Sequence, residues 1–527
     1  MKKTICILLF TLLLAIPSMY HFDSRGLVVT AFVQALSYSI LLLYLSNKSK
    51  IARIIIYTIL YVLFTLETFT FIHVGSRLDP NILTLILQTD LQEIKGFFSL
   101  YVFSVRSVFY FVIVILLYYL FLKHIVISDF TIWFRKKALN VLLLFITFFG
   151  IAIPILPLPC QKGYTTIQEI YHSVNTVGSY HQDVTKIEKM IGDVTIINSP
   201  AKEESPVIVL VIGESFNRHH SQLYGYTLNT SPWLSKEEHL IVFKNAISPT
   251  NVTHLAMKFL FTLKSCDKEV DTCQYVLMPV VFKKAHYQVA YFDNQYTRSE
   301  GGIMDYGCGY FLNPKKINMS CFDYRNDKTF DYDGDFINYY KSRFYFDNKS
   351  LNIIHLMGQH LPAKMRYPNG YEKFTSSDIL RNDLDEKQKS LIAEYDNATL
   401  YNDYVVHQII NSFRQTDAVI VYLSDHGENI YDGKTHTLGR TFDKSNETEA
   451  IENIYHIPFV VWCSDTFVAK HPEKYESLKL SSDKTFCSDD IPFLLFDIAS
   501  IDMNFNNETR SVIGDKYIPH KTNITQL

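Results

Sequence analysis

Five apolar stretches, near residues 4–20, 27–46, 51–74, 99–122 and 138–157, fill the first third of this 527-residue chain. Each approaches the ~20 residues a helix needs to cross a bilayer core, and no other feature restricts the possible folds so strongly. The connecting charges orient them. Lys2 and Lys3 precede the first stretch, Lys48, Lys50 and Arg53 follow the second, and Arg135, Lys136 and Lys137 precede the fifth. In a five-span arrangement these clusters share one face, which the positive-inside rule makes cytoplasmic. Everything after about residue 158 then lies on the opposite face. The first stretch is short and begins Met-Lys-Lys, as a cleaved signal peptide does, yet no small-residue cleavage site precedes the second. The expected organisation is a five-helix transmembrane domain over 1–157, an amphipathic linker over 158–204 and an external globular domain over 205–527.

Composition agrees with that partition. The formal net charge is -3 and 48% of residues are hydrophobic, so no basic field points to nucleic acid. The external part, about 320 residues, is long enough for one large core. It shows no internal repeats or low-complexity tracts. Of the eight cysteines, Cys6 lies in the first stretch and Cys160 follows the last. The others are Cys266, Cys273, Cys308, Cys321, Cys463 and Cys487, and no spacing is C-x-x-C. Consecutive pairing (266–273, 308–321, 463–487) would close three local loops, as an oxidising compartment allows.

Between the third and fourth stretches, 81–98 mixes apolar residues at three- and four-residue steps with Thr89, Asp90 and Glu93. That pattern suits a helix lying in the outer membrane interface. Thr89 and Glu93, four apart, share one face, either as a solvated polar strip or as a binding pair. Glu67, inside the third stretch, is a second acid of interest, because intramembrane acids tend to be functional or paired.

The external domain alternates short apolar runs with polar or helical segments. Runs at 207–212, 287–292, 351–356, 418–423 and 457–462 read as strands buried on both faces. They predict an α/β/α sandwich with a mostly parallel sheet. In such sheets ligands bind beyond the carboxyl ends of strands. Glu214 follows the first run, His355 and His360 follow 351–354, and Asp425-His426 follow 418–423.

Glu214, Asp425 and His426 offer two carboxylates and an imidazole, a donor set suited to zinc or a similar divalent ion. Thr253 stands at the start of the helical run LAMKFLF. As an N-cap it would be structural. As a nucleophile it would combine a metal-lowered pKa with the favourable field of a helix N-terminus. Thr250 is the rival hydroxyl. His355, His360 and His436 are candidates for phosphoryl binding, a second ion, or acid–base work.

The segments GESFNRHHSQLYGYTLNTSP, SPTNVTHLAMKFLFT, HLMGQHLPAKMRYP, EYDNATLYNDYVV and LSDHGENIYDGKTH occur in an order that resembles bacterial phosphoethanolamine transferases. These are membrane members of the alkaline phosphatase/sulfatase superfamily, and the likeness runs nearly the whole chain, including the QTDLQE segment. The 39-residue step from Glu214 to Thr253 fits the family's spacing between metal-binding Glu and nucleophilic Thr. The resemblance implies that Glu214, Thr253, Asp425 and His426 bind one Zn2+, with Thr253 also the nucleophile, and it leaves room for a second ion. It implies substrate-phosphate or second-metal roles for His355, His360 and His436, and ethanolamine head-group contacts for Thr89 and Glu93. The donor implied is phosphatidylethanolamine, and the acceptor an envelope glycolipid (lipopolysaccharide core or lipid A), a periplasmic glucan or a protein. A phosphoglycerol transferase of the lipoteichoic-acid type is the alternative within the same fold. The protein is expected to be a monomer in the bacterial inner membrane, with its catalytic domain in the periplasm. The chain departs from the family pattern at Leu85, where the family has Asn, and at Pro249 and Phe259, where the lipid A-modifying branch has cysteines.

Overall fold

The computed structural model describes residues 50–74, 102, 105–121, 182–266, 274–295, 309–432, 437–440 and 448–519. The chain divides into two compact units, Met1–Ser179 and Tyr180–Leu527. The expected spans at 4–20, 27–46 and 138–157, and the interfacial segment 81–98 with Thr89 and Glu93, lie outside the described residues.

In the first unit, α1 (Lys50–Val74) and α2 (Val105–Phe121) fall on two of the predicted apolar stretches. They run antiparallel, joined by Thr58 to Tyr118 at 2.9 Å, Tyr61 Oη to the Val114 carbonyl at 2.8 Å, and Tyr110 Oη to the Thr65 carbonyl at 2.7 Å. Their other faces present Ile55, Ile59, Val108, Val112 and Ile115 outward. Glu67 is buried, and Thr70 donates to its carbonyl. Among the described residues, no helix is long and apolar enough to cross a membrane.

The second unit is organised by β2 (Val207–Gly213), in which every residue is buried. With no polar face to present, this strand must be covered on both sides. Its alternation divides the core. Ile208, Leu210 and Ile212 pack on one side with Met257, Leu260 and Phe261. Val207, Val209 and Val211 pack on the other with Val405, Ile409 and Phe413. The first group of partners comes from α4 (Thr253–Phe261), the second from α5 (Glu386–Phe413), with α3 (helical over 182–193) also adding Ile187 to the first side. Helix α5 starts at a capping box in which Asp385 and Gln388 satisfy each other's backbone N–H.

The remaining strands are β1 (Ile196–Asn198), β3 (Leu240–Phe243), β4 (Asn245–Ile247), β5 (Gln288–Asp293), β6 (Tyr324–Arg325), β7 (Ser350–His355), β8 (Ala418–Ser424), β9 (Phe459–Cys463), β10 (Thr485–Cys487) and β11 (Asp502–Met503). The main sheet has seven strands in the order β3-β9-β8-β2-β7-β5-β6. Strand β2 pairs in parallel with β7 and β8, and β5 in parallel with β7 and β6. The expectation of a mostly parallel sheet needs correction at one edge: β9 runs antiparallel to both β8 and β3, so the sheet is mixed. An apolar run such as 457–462 reports burial on both faces and carries no sign of its direction. Side sheets pair β4 with β10 in parallel and β1 with β11 antiparallel.

The cysteine expectation also changes. Cys266, Cys321, Cys463 and Cys487 carry no disulfide, while Cys273 and Cys308 lie outside the described residues. The pairing 463–487 fails because the two residues end strands of different sheets. Cys487 instead faces Cys266, Sγ to Sγ 3.8 Å.

Leu210 is fully buried at the centre of β2. Leu210→Ala is expected to lower the unfolding free energy by about 3 kcal/mol in urea titrations followed by circular dichroism.

Candidate active site

Three parallel neighbours end side by side. Ile212 pairs with His355 of β7, and Gly213 with Ser424 of β8. The residues just past those ends therefore converge: Glu214 after β2, and Asp425 and His426 after β8. All three are fully buried and can offer atoms within 4.8 Å of one another. Thr253 arrives from the other direction, as the first residue of α4. The N-cap is Val252, which makes no side-chain cap, so the Thr253 hydroxyl is not used as a helix cap. It donates to Glu214 Oε2 at 3.1 Å and sits 3.2 Å from His426 Nε2. Thr250, the rival hydroxyl, is buried, and its carbonyl accepts from Ser248 Oγ at 2.8 Å.

The orientation of His426 decides what this cluster can hold. Its Nδ1–H is donated to the Gly427 carbonyl at 2.7 Å, so Nε2 is the nitrogen turned to the cluster, and it offers a lone pair once its proton is displaced. That nitrogen faces Glu214 Oε1 at 3.3 Å and Asp425 Oδ2 at 3.1 Å. Asp425 Oδ2 accepts no hydrogen bond. Arg440 supplies positive charge, with Nη1 2.7 Å from Nε2. Lone pairs of two carboxylates, an imidazole and a hydroxyl thus meet at one buried point, and a divalent cation fits that donor set.

The electrostatics agree. Burial pushes both carboxyls up. At Glu214 the adjacent His426 outweighs burial and holds the group well below its usual range. At Asp425, burial and the charge of Glu214 push the carboxyl up to about 6. Two buried acids that cannot comfortably ionise together gain from a shared positive charge.

Further residues hold the ligands in place. Ser215 Oγ donates to Glu214 Oε1 at 2.6 Å, and Ser215 N–H to Asp425 Oδ1 at 3.1 Å. Gln295 Nε2 bridges Glu214 Oε2 at 3.0 Å and the Leu356 carbonyl at 2.9 Å. Gly358 turns the loop after β7 with φ of 48°, and a Cβ there would meet Glu214 N at 2.7 Å and Glu214 O at 2.8 Å. Glycine is required at that position both by its dihedral and by the close approach.

His355 ends β7, with Nδ1 3.0 Å from Asp293 Oδ1 and a buried Nε2 that has no hydrogen-bond partner. Burial disfavours its charge, but Asp293 outweighs burial and the group is raised. His360, across the Gly358 turn, is lowered to about 4, chiefly by burial. His355 pairs with Ile212, two residues before Glu214, and His360 lies two residues past Gly358, which packs on the Glu214 backbone, so both come from segments that adjoin the cluster. His436, Thr89 and Glu93 lie outside the described residues.

Sequence reasoning missed Asp293, Gln295, Arg440 and the packing that fixes the segment after Glu214. Asp293 and Gln295 carried a usable signal, because they end a strand just as Glu214 does. Arg440 carried none. The segment 215–226 is wrapped around His220, whose Nδ1 lies 2.7 Å from Asp396 Oδ1 and whose Nε2 lies 3.4 Å from Asp432 Oδ1. Tyr226 Oη donates to Asp396 Oδ2 at 2.8 Å, and Tyr395 Oη to the Ser215 carbonyl at 2.5 Å. The motif EYDNATLYNDYVV is thus part of α5, placing Tyr395 and Asp396 under the Glu214 loop. Burial opposes a charge on His220, but the two carboxylates outweigh it and raise the group to about 10.

The sulfatase family profile matches residues 206–490, and the chain belongs to that family. Among individual proteins, it is 28% identical over 362 residues to phosphoethanolamine transferase EptC of Escherichia coli K12, covering 64% of this chain. It is 27% identical over 333 residues to phosphoethanolamine transferase CptA of Salmonella typhimurium LT2, covering 59% of this chain. The aligned part spans 59% of EptC and 53% of CptA. The solved C-terminal periplasmic domain of E. coli EptC in complex with Zn superposes with a TM-score of 0.52 at 26% identity, over 62% of this chain and 90% of that one. The integral membrane lipooligosaccharide phosphoethanolamine transferase A of Neisseria meningitidis superposes with a TM-score of 0.65 over 96% of this chain and 97% of that one. Its 17% identity makes this a likeness of fold.

Two outcomes follow from this geometry. A raised imidazole pKa contributes stability that is complete below the unfolded value of 6.5 and is lost as pH climbs toward 10. The stability difference between wild type and His220→Gln should therefore shrink steadily from pH 6 to pH 10 in chemical denaturation. Gly358→Ala should lower metal affinity at least tenfold in competition with a chromogenic chelator, because the new methyl displaces the Glu214 backbone.

Proposed function

We propose that this protein transfers phosphoethanolamine from phosphatidylethanolamine to an envelope glycolipid, lipopolysaccharide core or lipid A, through a covalent intermediate on Thr253. The observation that carries this reading is the Thr253 hydroxyl, 3.1 Å from Glu214 and 3.2 Å from His426 at the first turn of α4. Similarity to EptC and CptA, which are phosphoethanolamine transferases, supports the donor group, and the EptC domain in complex with Zn supports the choice of metal.

Glu214, Thr253, Asp425 and His426 would hold one zinc ion, which when bound supplies positive charge that lowers the hydroxyl pKa and offsets charge on phosphoryl oxygens. The Thr253 hydroxyl gives its proton toward Glu214, its oxygen attacks the phosphorus, and the bond to the diacylglycerol oxygen breaks. The acceptor oxygen then attacks the same phosphorus, and the bond to Thr253 Oγ1 breaks. The N-terminus of α4 favours the anionic adduct. His355, kept protonation-prone by Asp293, suits the donation of a proton to the departing alkoxide, whereas His360, neutral at ordinary pH, suits acceptance from the incoming acceptor hydroxyl. His436 joins them in contacting the phosphoryl group. Thr89 and Glu93 hold the ethanolamine ammonium at the membrane face. The protein works as a monomer in the inner membrane, with the Tyr180–Leu527 unit in the periplasm.

The test uses full-length protein in lipid nanodiscs with head-group-labelled phosphatidylethanolamine. Wild type should release diacylglycerol and retain label on Thr253, Thr253→Ala should do neither, and dialysis against a chelator should abolish release until zinc returns. Release by Thr253→Ala at the wild-type rate would rule out the covalent route. Turnover of phosphatidylglycerol in place of phosphatidylethanolamine would assign the protein to phosphoglycerol transfer.

A further inference from the structure

The cluster formed by Cys266, Cys487 and Asp489 lies away from the candidate active site and takes no part in the chemistry above. Cys266 is partly exposed and follows α4 by a short segment; Cys487 is buried at the end of β10. Their sulfurs are 3.8 Å apart, although the residues stand 221 positions apart in sequence. The two backbones are already clamped together. Cys266 N–H donates to Asp489 Oδ2 at 2.8 Å. Arg510, only 5% exposed, donates Nη1 to the Leu263 carbonyl at 2.8 Å, Nη2 to the Asp489 carbonyl at 2.6 Å and Nε to Asp490 Oδ1 at 2.6 Å. One guanidinium thus spans the segment leaving α4 and the segment leaving β10.

We propose that Cys266 and Cys487 are a disulfide-forming pair that covalently ties the nucleophile-bearing helix to the C-terminal part of the domain. A disulfide needs sulfurs at about 2.05 Å, so they must close by about 1.8 Å. Cys266, the accessible partner, can make that movement by side-chain rotation. A divalent ion between the same groups is the competing occupant. The Arg510 guanidinium, 3.4 Å from Asp489 Oδ2, already supplies the positive charge there and disfavours a second cation.

The step balances as thiol–disulfide exchange with an external disulfide of glutathione or dithiol-protein type. The Cys266 thiolate attacks the external disulfide, forming a mixed disulfide and expelling one thiol. Cys487 then attacks the Cys266 sulfur, losing its proton toward Asp489, and the second external thiol departs. The protein pair loses two electrons and two protons, and the oxidant gains them.

The full chain, purified in detergent with its thiols reduced, is exposed to oxidised glutathione, alkylated, digested without reductant and mapped by tandem mass spectrometry. The expected product is a Cys266–Cys487 linked peptide, with a Tm about 5 °C above that of the dithiothreitol-treated protein. Cys266→Ser should remove that Tm gain while leaving the reduced-state Tm unchanged. Linkage of Cys266 to Cys273, two thiols still open to alkylation after oxidation, or thiols shielded by a metal that a chelator releases would each overturn the proposal. The reading needs no activity measurement, so its failure is distinct from failure of the phosphoethanolamine reaction.

Discussion

Everything in the Tyr180–Leu527 unit depends on β2 lying in parallel register between β7 and β8. Because the three strands start level, they also end level, and the residues immediately beyond them must share one small space. Strand β2 itself is entirely apolar and buried, so burial holds this register, and a slip by one residue would turn every Val and Ile of β2 to the wrong layer. The same apolar wall accounts for the cluster's electrostatics. Carboxylates delivered to the end of a dry strand keep little water, and they must find charge or hydrogen bonds from neighbouring loops.

Those loops supply them in a graded way. Ser215 and Gln295 satisfy the outer lone pairs of Glu214, while its inner lone pairs and that of Asp425 Oδ2 remain directed at His426 and Thr253. The cluster is thus saturated on its outside and electron-rich at its centre. An array of this kind is poorly stable as bare protein and well suited to a cation, a trade common at sites built for chemistry. The sandwich layers then have separate duties. Helix α4 brings the hydroxyl from one side, and α5 pins the loop after Glu214 from the other through Tyr395, Asp396 and His220.

Strand positions and the donor set were legible because they leave local marks: continuous apolar runs, each followed at once by a polar residue of unusual type. Glu214, Asp425 and His426 could be found that way, and their meeting point followed from parallel neighbours. Directions and distant partners leave no such mark. The reversed course of β9 depends on how its ends connect, and the company of Cys266 depends on where β10 returns, 221 positions away. Proximity in sequence favours short loops, and for Cys463 and Cys487 that expectation was misleading. Asp293 lay within reach of the same rule that found Glu214. Its role shows only once β5 is seen to lie beside β7, with carboxylate and imidazole in contact.

The turn at Gly358 has a consequence for variation in this protein. Its missing side chain lets two loops touch through main-chain atoms alone, so the seat of the leading acid is set by backbone rather than by any replaceable group. A library scanning all amino acids there should return one survivor, while positions such as Leu380, standing free in solvent, accept nearly anything. Tolerance to mutation around this centre should therefore track how closely the polypeptide backbones approach, more than distance from the Thr253 hydroxyl.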